Sequence, residues 1–164
     1  RDLATFLKMY KDGIPLSKHL HTMYAKELMI AGEKEDFENA IPYFEQALNN
    51  ADFEQDSHLE SYCVLAKAYR ITEQIPKFFK YTTKAVTGQD EGCSEICFEL
   101  GNHYWDTADY EEAIIWYYAC VNSTQPILFL QCQKDAMYQM SLCYMKLGQD
   151  ELSSEYYKQY KEMK

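Results

Sequence analysis

The sequence predicts an all-α protein, a right-handed α-α superhelix of about four helical hairpins preceded by a short N-terminal helix. Three observations predict it. Leu100, Gly101 and Tyr104 share one helical face, and Ala113, Tyr117 and Cys120 follow at the i, i+4, i+7 spacing that lines one side of a second helix. A small residue returns along the chain as Ala25, Ala66, Gly101 and Ser141, with Leu28, Tyr69, Tyr104 and Tyr144 three residues after each. The composition, 47% apolar and 15% aromatic with only four prolines and six glycines in 164 residues, supplies a packed core and argues against an all-β or disordered chain.

Residues 1–16 are expected to form a capping or linker segment, with a helix from Arg1 to Lys11 ended by Asp12-Gly13-Ile14-Pro15. Residues 17–164 are expected to carry four repeats, at about 17–54, 57–90, 94–125 and 134–164. In the first, helices are expected over Ser17 to Ala31 and Phe37 to Asn49, with Pro42 kinking the second or delaying its start. The small residue precedes the core of the second helix by twelve residues in three repeats but by fifteen from Ala25 to Ala40. The excess is placed in the polar run Gly32-Glu33-Lys34-Glu35-Asp36, where a longer loop costs little closure entropy. The second repeat is read as Ser57 to Ile71 and Pro76 to Val86, with Pro76 tolerated in a first turn. Gly88 and Gly92 open the chain before the third repeat, at Ser94 to Thr107 and Tyr110 to Val121. Ile127 to Leu130 reads either as a buried turn or as an early start to the next helix, which runs to Leu147. The last helix, Glu151 to about Glu162, has Ser153 where alanine is usual.

Small-to-small spacings of 41, 35 and 40 stand against a period of roughly 34 for the tetratricopeptide repeat, which the pattern around Gly101 resembles. Five stretches carry a narrower resemblance: Ala25-Lys26-Glu27-Leu28, Ala40-Ile41-Pro42-Tyr43-Phe44, Cys97 to Gly101, Tyr110 to Tyr117, and Cys143 to Gly148. Together they resemble the C-terminal helical region of family 2 glycosyltransferases that carry these repeats. The resemblance implies a parent that moves a sugar from a nucleotide-sugar, with this region binding the acceptor or pairing subunits. The first residue, Arg1, fits a piece of something longer. A free-standing scaffold or peptide-binding repeat protein is the alternative reading.

The chemistry of sugar transfer needs an Asp-x-Asp to hold a divalent cation on the donor diphosphate, and the sequence has none. Phosphate loops, nucleophile elbows and His-Glu-x-x-His are likewise missing, so the chain itself is expected to be non-catalytic and to need no cofactor. Cys93, Cys97 and His103 fall short of paired zinc-ligand spacing, so no metal is expected and the cysteines are read as buried thiols. His19 and His21 are read as surface or capping residues. A net charge of −10 argues against nucleic acid, and no apolar run reaches membrane-spanning length, so a cytoplasmic protein with a protein or peptide partner is expected.

The residues expected to face that partner are the outward positions of the first helix of each hairpin. Lys26, Lys67, Arg70 and Asn102 form a basic and amide row suited to a carboxylate, with Phe98, Trp105 and Tyr138 as apolar anchors. The plainer reading is that these are solvated groups whose stems pack on their neighbours. Tyr156, Tyr157 and Tyr160 on the last helix suggest a homodimer.

Overall fold

A computed structural model describes residues 3–86 and 92–164, and every regular element among them is an α-helix. The chain divides into two compact units, Arg1–Gly88 and Gln89–Lys164. The break at Gly88 and the end of the second repeat at 90 fall outside the described residues.

In the first unit, α1 (Leu3–Lys11) packs on α2 (Lys18–Ala31) and α3 (Lys34–Ala47), and α4 (Gln55–Ile71) packs on α2, α3 and α5 (Ile75–Val86). Aromatic rings join the first three helices. Phe6 stacks on Tyr24 at 5.0 Å, and Tyr24 lies 5.6 Å from Tyr43 and 5.1 Å from Phe44. Ser17 starts α2 by accepting the Leu20 amide at 3.2 Å. The polar run after α2 is not a lengthened loop: only Gly32 and Glu33 separate the helices, and Lys34 to Asp36 form the first turn of α3. Asp36 draws that turn together by accepting the Glu33 amide at 2.9 Å. Pro42 does not delay α3. It lies on the exposed side of a continuous helix, where water can satisfy the carbonyl that its missing N–H leaves open.

In the second unit, α6 (Ser94–Asp106), α7 (Tyr110–Asn122), α8 (Gln131–Lys146) and α9 (Asp150–Glu162) pack as successive antiparallel neighbours, with α8 also touching α6. Its core contains Ala113, Tyr117 and Cys120 of α7 with Ala136, Met137 and Met140 of α8. Ser153 serves at the alanine position because its hydroxyl is satisfied, donating to the Ser141 carbonyl at 2.7 Å. Ile127 to Leu130 is not an early start to the helix, because α8 begins at Gln131, and it is a buried turn only at Leu128: Ile127 and Leu130 are exposed, the latter at 79%.

Three hairpin turns share one geometry. Glu73 (φ 60), Ala108 (φ 58) and Gly148 (φ 75) each adopt the left-handed conformation just past a helix end. The next amide then reaches back to close the helix, Gln74 to Tyr69, Asp109 to Tyr104 and Gln149 to Tyr144, at 2.8, 2.8 and 2.9 Å. Glycine takes that conformation without strain, whereas alanine pays about 1 kcal/mol or more for it. Ala108→Gly is therefore expected to raise stability by about 0.5–1 kcal/mol after the added freedom of the unfolded glycine is subtracted. A higher urea midpoint at unchanged slope is the expected reading, and an unchanged or lower midpoint contradicts it.

Candidate interaction surfaces

In the first unit the expected basic residues have different surroundings. Lys26 is exposed on α2, while Lys67 and Arg70 are half-buried on α4. Lys67 Nζ lies over the Phe37 ring, 5.2 Å from its centroid, in a cation–π contact that holds its stem against α3. Between the α2 and α4 surfaces is an acid, Glu60, whose two oxygens each accept from the Thr22 hydroxyl at 2.9 Å. Burial pushes the Glu60 carboxyl above its ordinary value, and the bond from Thr22 and the charges of Lys18 and Lys26 only partly reverse that.

In the second unit Phe98, Asn102 and Tyr117 come together. Tyr117 donates to Asn102 Oδ1 at 2.6 Å, and the Phe98 and Tyr117 rings are 5.8 Å apart. Asn102 thus fixes a core ring, a use that helical spacing alone does not reveal. Trp105 meets Tyr110 edge-on at 5.2 Å, and Tyr138 lies 5.1 Å from Tyr160 and 6.3 Å from Tyr157. Each aromatic anchor is half-buried or partly exposed and already has a ring neighbour that limits its rotamers.

Two polar clusters were not legible beforehand. His21, expected at the surface, is fully buried in the first unit. Its Nε2 is 3.1 Å from the Ser57 carbonyl, which can only accept, so Nε2 carries the proton and Nδ1 accepts from Tyr43 Oη at 2.7 Å. Ser61 Oγ lies 3.3 Å from Nε2, and Phe44 and Phe53 enclose the ring. The signal was in the stripe His21, Tyr24, Ala25, Leu28 and Met29, which is wholly buried. In the second unit Glu95, an acid on α6, is 1% exposed. Its carboxylate accepts three successive amides, from Ile127 at 2.9 Å, Leu128 at 2.5 Å and Phe129 at 2.8 Å, and so shapes the turn before α8. A single acid 32 residues upstream of the turn gives no local pattern to read.

All six cysteines are buried. The interaction with Cys132 and then burial drive the Cys120 thiol far above its ordinary range, and burial pushes Cys143 up to about 12. Neither can be a nucleophile near neutral pH.

Burial pushes the His21 imidazole down to about 4 from 6.5, with His58 adding to the shift and the Ser57 carbonyl opposing it. Between those values the unfolded chain binds a proton that the folded chain does not. His21 therefore contributes fully to stability above pH 6.5, and that contribution falls, by roughly 3 kcal/mol, as pH drops toward 4. Glu60, 3.7 Å away with a raised pKa, gains a proton in the folded state and offsets part of the loss. Stability measured by urea titration from pH 7 to 4 should fall more steeply for the native chain than for His21→Gln; parallel curves would contradict the assignment.

A family model described as tetratricopeptide repeat matches residues 21–52, 94–125 and 134–164, more than half of the chain. The first two matched stretches are equal in length, so an ungapped register sets Leu28 against Gly101, Ala40 against Ala113 and Phe44 against Tyr117. This corrects the assignment of Ala25 as the small position and removes the fifteen-residue spacing; the first repeat has a leucine there, and Lys26 leaves the row to which Asn102 belongs. Neither the curated proteins nor the solved structures gave a match. The chain belongs to the tetratricopeptide-repeat family, whose helical hairpins are protein-interaction modules.

Proposed function

We infer that the chain is the non-catalytic, cytoplasmic interaction region of a larger enzyme, a nucleotide-sugar glycosyltransferase of family 2, and that it holds the acceptor or pairs subunits. The observation that carries the interaction reading is the set of partly exposed rings on α6 and α8: Phe98, Trp105 and Tyr138, each fixed by a neighbouring aromatic. Rings held in place lose little freedom on binding and suit an extended protein segment. In the first unit Lys26, Lys67 and Arg70 supply cations for acidic groups of the same class of ligand. The stretches that resemble the glycosyltransferase region, from Ala25-Lys26-Glu27-Leu28 to Cys143–Gly148, support the parent.

The reading frame upstream of Arg1 tests the parent directly: an α/β domain with an Asp-x-Asp is expected, and a short frame without one would leave the free-standing receptor. In the intact enzyme Trp105→Ala is expected to raise KM for the acceptor about tenfold while donor hydrolysis is unchanged. An unchanged acceptor KM, with helicity retained, removes acceptor binding from this surface.

A further inference from the structure

In the second unit, α8 covers the face that α6 and α7 present to it, and Phe98, Trp105 and Ile114 pack against the core they share with α8. The α8–α9 hairpin offers the corresponding face to solvent. Between its helices lies an open groove of about 280 Å³, lined by Tyr138, Leu142 and Met145 of α8 and by Ser154 and Tyr157 of α9. Met145 is 56% exposed, Tyr157 43% and Tyr138 38%, an apolar surface of the kind that marks an interface.

The residues of α9 indicate what covers it. Asp150, Ser154, Tyr157 and Lys161 stand at i, i+4, i+7 and i+11, one stripe of the helix, and all four are exposed. We propose that this stripe binds a second copy of the chain, α9 against α9 in antiparallel, about a two-fold axis passing between Glu155 and Tyr156. The register brings Asp150 opposite Lys161 of the second copy and Ser154 opposite Tyr157 of the second copy, each pairing occurring twice. A small side chain faces a large one, and an acid faces a base, as a self-complementary interface requires. The Lys161 ammonium already lies 5.6 Å from the centre of the Tyr157 ring, which keeps the cation on this stripe. Net charge of −10 opposes self-association at long range, so a stable contact has to set opposite charges face to face, and this register does so. The inference deepens the subunit-pairing part of the proposed function, and its test on the whole chain is independent of what precedes Arg1.

Sedimentation equilibrium on the whole chain is expected to show a reversible dimer with a dissociation constant in roughly the micromolar range. Asp150→Lys places two lysine pairs in the contact and Lys161→Asp two aspartate pairs, so each variant alone is expected to dimerise at least about tenfold more weakly. Mixing the two restores both acid–base pairs and should give a heterodimer within about threefold of the native affinity. Ser154→Arg, at an exposed position and with circular dichroism as the control for helicity, should abolish the dimer. A chain that stays monomeric overturns the proposal and leaves the groove to a helix of another protein. A dimer indifferent to these changes overturns it equally, because the copies then meet elsewhere.

Discussion

The second unit is built around the approach of one ring to one stretch of backbone. A methyl group placed on Gly101 would lie 2.6 Å from two carbons of the Tyr117 ring, so the ring occupies the volume that any other side chain would need. Tyr117 cannot swing aside. It is fully buried, its hydroxyl donates to Asn102 on α6, and Gln139 of α8 reaches the same oxygen at 3.5 Å. Three helices therefore meet at one side chain, whose burial is worth about 2–3 kcal/mol. The core of Ala113, Cys120, Ala136 and Met140 closes around it.

Around that contact, polar groups determine which of several similar helical packings is adopted. Apolar stripes of alanine, cysteine and methionine tolerate sliding, because most of the apolar area survives a small shift. Hydrogen bonds do not. Glu95 can satisfy the amides of Ile127 to Phe129 only if α6 and the turn before α8 stand in one relation, and Ser153 can reach the Ser141 carbonyl only with α8 and α9 in register. His21 has the same effect in the first unit, tying α2 to Tyr43 of α3 and to Ser57 of α4. Each buried polar group is costly if left unpaired, so an alternative packing loses more than the bond itself.

Periodicity made the helical hairpins legible, because apolar spacing reports which face of a helix is buried. Helix limits such as Tyr110 and Ile71 follow from it within a residue or two. The first repeat was read out of register because the position facing the second helix was picked by size, which selects Ala25, whereas the family register places the larger Leu28 against Gly101. The left-handed turns at Glu73 and Ala108 gave no sign, lacking the glycine that marks the same turn at Gly148. Among the candidate surface residues, Trp105 and Tyr138 were placed on partly exposed faces by spacing alone, but the bond of Asn102 to Tyr117 and the seat of Lys67 on Phe37 depend on a second helix. Contacts between segments distant in sequence leave no periodic trace.

The most direct test of this account is a double-mutant cycle between Gly101 and Tyr117, read by urea denaturation. Steric exclusion predicts that Gly101→Ala destabilises the native chain by about 1–3 kcal/mol, although alanine is the better helix former by about 1 kcal/mol. In a Tyr117→Leu background, where the ring is gone, the same change should be neutral or stabilising. An equal cost of Gly101→Ala in both backgrounds would contradict the claim that the ring and the glycine backbone set the distance between α6 and α7.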